Sequence, residues 1–463
     1  MIIFYLSGLF VLMAAYAAIQ PQGSGPDENM KYLVCQYIYE HKSLPVGTNP
    51  AVLSPRWGTS YAFTPYLAYV LCAFNMTIAS FFSNSPDVLY LAARFQSAAA
   101  MTAAAFFVWK ISRELFDKKS VQWLFTAACT LEPEILFTGT YINSDSLACM
   151  SVAMIIYAWI IGWKRRWDTK SCLVLALGIG ICAQSYYDAF GYILTSLIFF
   201  FVSCVYFVRH PAAHPGAPQL LPSGQTSLFS GFRQSLITGN NPVRDRKGIF
   251  KKAGLISGCS FLLAGWWYIR NFLLYDGDFL GLKASAVCAQ ANALDKWKPS
   301  NLKTPINCGE SLWSMITTRQ WIEKTALSFF GLFEKYLKLP TFTYWIFLWL
   351  FILGLACYLI FRERAPFTRE ESYERRLLCS VFVLNIIITV GLSMYYSYTY
   401  DFQPQGRYLL PSLIPIVFFA VSGWNRLLEL IKDNRRRELA FCSLYGWYGL
   451  AAIVPYMMLV KII

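Results

Sequence analysis

Charge is what this sequence has least of. Asp, Glu, Lys and Arg make up 14% of its 463 residues, while 56% are hydrophobic and 17% aromatic; soluble domains carry ~25% charge. That balance excludes a water-soluble enzyme or binding module and leaves an all-α polytopic membrane protein. Histidine is scarcer still, with 3 residues. His210 and His214 have helical ligand spacing, but Pro211 and Pro215 break "RHPAAHPGAP" and remove the rigid support a zinc site needs. The 13 cysteines include no CxxC pair, so no metal-ligand set and no cofactor is assigned. Cys288 and Cys308 share one loop and are open to either a disulfide or two thiols. No internal repeat is evident at a fixed period, which removes the usual signature of inverted-repeat transporters.

What charge there is carries a net +14. A nucleic-acid partner is excluded because the Lys and Arg fall in short bursts between apolar runs instead of on one exposed face. Reading those runs as spans of ~20 residues places about eleven transmembrane helices near 1–19, 89–109, 120–138, 145–163, 171–187, 189–208, 253–272, 341–361, 377–396, 408–424 and 439–460. With the N-terminus cytoplasmic, the segments 110–120, 163–170, 209–252, 362–376 and 425–438 face inward and hold most of the 40 basic residues. This follows the positive-inside rule. The stretch 61–82 must then lie on the outer surface, since counting it as a span would reverse "KISRELFDKKS". "AYA" at 15–17 resembles a processing site, but no Lys or Arg precedes it, so the first stretch is expected to be a retained span.

The chain therefore reads as one transmembrane domain over 1–463. It has a first outer loop with juxtamembrane helices at 20–88, a basic cytoplasmic linker at 209–252 and a long outer loop at 273–340. A multi-pass plasma-membrane location follows. Within the long loop, "RQWIEKTALSFFGLF" has helical spacing and could form a lid.

Ionisable groups decide more by place than by number. Asp27, Glu28, Arg94, Glu132, Glu134, Asp145, Asp188, Arg270, Asp401 and Arg407 all fall at or near the outer ends of the expected spans, and helix centres are almost empty. A proton-coupled carrier would hold charge at mid-membrane. The segment "GPDENMKYLVCQYIYEHKSLP" (25–45) predicts an amphipathic juxtamembrane helix, with Gly25 as N-cap, Pro26 at its first position, and Met30, Leu33, Val34, Tyr37 and Ile38 on one face. Its two acids are open to a plain reading, as first-turn partners of the helix dipole. Asp145 is likewise open to a capping role, and the arginines to snorkelling.

Taken in order, the Pro-Asp-Glu after the first span, "FTPYLAYVL", Arg94 in "AARFQSA", "YINSDSLACM", "YIRNFLLYDGDFLG" and "PQGRYLLPSLIP" resemble the GT-C superfamily of integral-membrane glycosyltransferases. The likeness is to bacterial members related to protein O-mannosyltransferases and aminoarabinose transferases. Where relatives read "PPL", this chain reads "TPY", and a Lys found in that region of some relatives is missing. The resemblance implies a GT-C-like fold and transfer of a sugar from a polyprenyl-phosphate donor to a glycan, lipid or protein hydroxyl at the outer face, with inversion. Asp27 matches the general base, with Glu28 as substitute or orienting group. Arg94 and Arg407, then Arg270, are expected to hold the donor phosphate. Asp145, Tyr187, Asp188 and Glu132 are expected to line the acceptor and sugar site. A polymerase or ligase of lipid-linked glycans, and a non-enzymatic lipid or solute transporter, are the alternatives.

Overall fold

A backbone in lipid must satisfy its own hydrogen bonds, and apolar runs of this length do so as helices. The computed structural model describes residues 1–210, 242–243, 245–331, 341–361 and 369–460, with Thr341 and residues 455–460 as backbone alone. Most of the basic segment 209–252 lies outside the described residues, as do His214 and parts of 273–340 and 362–376.

The helices run α1 (Ile2–Ile19), α2 (Glu28–His41), α3 (Leu67–Ser80), α4 (Pro86–Leu115), α5 (Lys119–Thr130), α6 (Pro133–Thr138), α7 (Asp145–Lys164), α8 (Thr169–Ala183) and α9 (Gly191–Arg209). They continue with α10 (Arg246–Leu274), α11 (Leu282–Asn292), α12 (Leu312–Thr317), α13 (Trp321–Phe329), α14 (Thr341–Ile360), α15 (Arg369–Thr399), α16 (Leu413–Leu428) and α17 (Asn434–Val460). Among the described residues, 7 helices are long and apolar enough to cross a membrane: α1, α4, α7, α9, α14, α15 and α16. The remaining expected spans coincide with α5 plus α6, α8, α10 and α17, which are shorter or less apolar. The break in 120–138 has a local cause: Pro133 opens α6, and Glu132 caps it by accepting from the Ile135 amide at 3.1 Å. The stretch 61–82 forms a single turn and then α3, whose 14 residues fall short of the ~20 a span needs. Phe74 on α3, and Phe81 and Phe82 just after it, are exposed.

Helix α7 is the central post, packed by α4, α8 and α9. Trp159 stacks there on Tyr192 and Phe199 and donates its indole N–H to Ser196. On the other side α14 and α16 cross closely at Gly354 and Gly423, where a Cβ on Gly423 would collide with the Gly354 carbonyl oxygen. Small residues of this kind let membrane helices approach. Gly423→Ala is accordingly expected to cost about 1–3 kcal/mol, as overpacking does, read as a lower midpoint of thermal unfolding in detergent; a parent-like midpoint would show that the crossing yields freely.

Cys288 and Cys308 are both free thiols, the first buried and the second exposed. Their loop folds over the first one: the Leu294 amide donates to Arg56 O at 3.3 Å, and Arg56 lies 3.8 Å from the Trp297 ring centroid. Helix α13, the expected lid helix, sits against the turn before α16, with Ser328 accepting from the Gly406 amide at 2.7 Å.

Candidate active site

The juxtamembrane segment 20–28 is held by one arginine. Arg94 of α4 donates from Nε and Nη2 to the two carboxylate oxygens of Glu28 (2.8 and 2.9 Å), from Nη1 to the carbonyls of Ala17 and Gln20 (both 2.7 Å), and from Nη2 to that of Pro21 (2.8 Å). All five donors of the fork are thereby used. Glu28 in turn accepts from the amides of Gly25 and Ile142, both at 3.2 Å, and neither side chain retains meaningful exposure. The expected roles of Arg94 in phosphate binding and of Glu28 in catalysis find no free atoms here; the pair shapes the loop.

Pinning Glu28 inward also sets the helix. Instead of Gly25 capping and Pro26 beginning it, α2 begins at Glu28, with Asp27 as N-cap at φ 53°. That is the left-handed region, which aspartate tolerates better than most residues. The buried face becomes Glu28, Lys31, Val34, Cys35 and Ile38, one step round from the predicted stripe. Asp27 is thus turned outward and half-buried, accepting at 2.9 Å from the Tyr61 hydroxyl.

Arg407 comes from a distant part of the chain, on a tight 3-10 turn, Gly406–Ser412. Only glycine fits at 406, since a Cβ there would strike the Phe329 backbone. The Arg407 side chain is buried, donates from Nη2 to the Tyr408 hydroxyl at 2.9 Å, and leaves Nε without a partner. It forms no ion pair with a described residue. Tyr408 passes the chain on to Gln403, which bonds Asp401.

Around this guanidinium the structure gathers acids and phenols. Arg407 lies within electrostatic reach of Tyr141, Asp145 and Tyr186, and Asp188 within reach of Asp145 and Arg407. Tyr408 feels both Arg407 and Asp27, and Tyr61 does likewise. Burial pushes the Asp401 carboxyl above its usual range, and nearby Asp27 adds to that push. Asp27, Asp145, Asp188 and Arg407 therefore belong to one electrostatically linked cluster. Within it and beside it, Asp27, Tyr61, Tyr186, Asp188 and Asp401 are half-exposed, while Lys31, Glu134, Tyr141, Asp145 and Arg407 are buried. Asp145 is free for this position because Asn143 does the capping of α7, accepting from the Ser146 amide at 2.8 Å.

Three expected residues lie elsewhere. Arg270 donates to Pro45 O at 3.0 Å and Tyr66 Oη at 3.2 Å and so ties down the end of the α2 segment. Glu132 is the cap of α6, and it is Glu134 that lies within electrostatic reach of Arg407 and Asp145. Tyr187 donates to Leu280 O at 2.9 Å, whereas Tyr186 stacks on Tyr408 with centroids 6.4 Å apart. Both exchanges are one or two residues in register across a turn, below what spacing resolves.

Lys31 was missed altogether. It is 2% exposed, its ammonium donates to Pro26 O at 2.9 Å, and burial pulls it below its ordinary pKa. The available signal was its position three residues after Glu28 and three before Val34. Among the described residues no group of three His, Cys, Asp or Glu could hold a metal ion. One turn beyond Arg407, Leu410 joins Leu9, Met13, Met101, Val108 and Ile414 in lining a narrow apolar crevice.

A family model described as "Predicted membrane protein (DUF2142)" matches residues 38–417. No curated protein matches by sequence. Among solved structures, ArnT from Cupriavidus metallidurans bound to undecaprenyl phosphate is similar at TM-score 0.51 and 10% identity, over 99% of this chain and 71% of that one. The apo oligosaccharyltransferase of Archaeoglobus fulgidus gives TM-score 0.45 and 14% identity over 98% of this chain and 55% of its own, so this chain spans about half the archaeal enzyme. The likeness to ArnT establishes the fold as GT-C.

Proposed function

Because this chain belongs to the DUF2142 family of predicted membrane proteins and shares the GT-C fold of ArnT, we propose that it transfers a sugar from a polyprenyl-phosphate donor to a hydroxyl acceptor at the outer face of the membrane, with inversion. The observation that carries this reading is Arg407: a buried guanidinium with an unpartnered Nε, within electrostatic reach of Asp145 and Asp188. A buried charge without an ion-pair partner is costly unless an anion arrives. A lipid phosphate supplies such an anion, and the ArnT structure holds undecaprenyl phosphate.

In the reaction the acceptor O–H gives its proton to the Asp27 carboxylate while its oxygen bonds to the anomeric carbon. The bond from that carbon to the phosphate oxygen breaks, and its electron pair stays on the phosphate. Tyr61, donating to Asp27 Oδ2, holds the carboxylate in place. Arg407 meets the phosphate where water is largely excluded, which is where fixed charge is most effective. Asp145, Asp188 and Glu134, within electrostatic reach of Arg407, take the sugar or acceptor hydroxyls in this reading.

Cells lacking the protein are expected to accumulate a lipid-linked sugar, seen by mass analysis of their polyprenyl lipids. An unchanged lipid pool, together with movement of solute across sealed vesicles without covalent product, would turn the reading to a carrier. Arg407→Met is expected to lower transfer by roughly 10²–10³-fold and to weaken binding of undecaprenyl phosphate. Its thermal midpoint should change little, since the guanidinium makes one side-chain hydrogen bond.

A further inference from the structure

We propose that Lys31 is the second cation of the phosphate site and pairs with the negative charge that appears on the phosphate as the sugar leaves. The proposal rests on the donor reading above. Lys31 lies on the buried face of α2. Its ammonium spends one hydrogen on Pro26 O at 2.9 Å and lies 5.1 Å and 5.6 Å from the ring centroids of Tyr61 and Tyr141. The two rings present π-faces to a cation without neutralising it. Asp145, Arg407, Asp27 and Glu28 all act on it electrostatically, yet it forms no ion pair with a described residue. Glu28 is taken by Arg94, and Asp27 is turned to Tyr61. The fold has therefore buried two cations, Lys31 and Arg407, within electrostatic reach of one another, and neither forms an ion pair with a described residue.

Two like charges side by side repel, and an anion of single charge balances only one. The donor is a phosphodiester and carries one negative charge. The lipid phosphate left behind is a monoester, whose second ionisation falls near ~6, so that it holds about −1.5 to −2 at neutral pH. The second charge develops as the bond to the anomeric carbon breaks and the electron pair passes to the phosphate oxygen. Arg407 balances the charge that the donor brings in. Lys31 balances the one that arrives with bond cleavage. An interaction stronger in the transition state than in the bound donor raises the rate of transfer and not donor affinity.

The test uses the full chain in lipid nanodiscs at pH 8 with two probes, undecaprenyl phosphate and its methyl diester. Parent protein is expected to bind the monoester roughly tenfold or more tightly than the diester, the ratio that one added charge-assisted hydrogen bond supplies. Lys31→Met is expected to bind the diester like the parent and to lose the preference. Lys31→Gln, which keeps a donor for the Pro26 carbonyl, separates loss of charge from loss of that tether and is expected to lose the preference as well. Both variants are checked for a parent-like size-exclusion profile and thermal midpoint. If the variants keep the parental ratio, the role of Lys31 is refuted while the donor reading stands. If the parent binds neither lipid, the donor reading fails and takes the proposal with it.

Discussion

Asp27→Asn is expected to lower sugar transfer by roughly 10²–10⁴-fold, the usual contribution of a positioned general base, while binding of the polyprenyl-phosphate donor persists. Asparagine is the right replacement for two local reasons. It tolerates the left-handed backbone at φ 53°, and its side-chain oxygen still accepts from Tyr61. The fold and the tether are kept, and what is lost is the capacity to take a proton. Transfer measured with purified protein and extracted donor lipid reads the effect as a fall in kcat with little change in donor KM. Activity at the parental level would remove Asp27 as the base and leave Asp145, Asp188 or Glu134 to be tried in its place.

Arg94→Met is expected to have the largest effect on stability. Removing the guanidinium leaves the Glu28 carboxylate buried without its countercharge, and the carbonyls of Ala17, Gln20 and Pro21 without their donor. Breaking a buried pair from one side costs about 3–5 kcal/mol, a large part of the ~5–15 kcal/mol that holds a typical domain together. The measurement is the thermal midpoint in detergent, and the double variant Arg94→Met with Glu28→Gln should recover part of the loss because no unpaired charge remains. A well-folded Arg94→Met protein that has lost lipid-phosphate binding would return Arg94 to the role of phosphate ligand.

The arginines show what was legible and what was not. Arg94, Arg270 and Arg407 looked alike in the amino-acid order: each sits near the outer end of an apolar run. Their surroundings separate them. Arg94 meets an acid from a distant segment, Arg270 meets backbone carbonyls of the turn after α2, and Arg407 meets no described acid as an ion pair. Lys31 was hidden by its own helix. An amphipathic stripe drawn through Met30, Leu33 and Tyr37 places it on the wet side, and the helix is turned because Glu28 is drawn inward by Arg94. Glu132 with Glu134, and Tyr187 with Tyr186, are neighbours across sharp turns, where a change of one or two residues redirects a side chain entirely.

Membrane class, helical architecture and the collection of ionisable groups at one end of the bundle were written in composition and in the spacing of apolar runs, because lipid penalises charge and unsatisfied backbone wherever they occur. Asp27 stood out through its place directly after the first such run. Which cation is consumed by the scaffold and which stays unpaired depended on contacts between residues far apart in the chain, such as Arg94 with Glu28. Local order carries no record of those meetings, and they arise only when the helices pack.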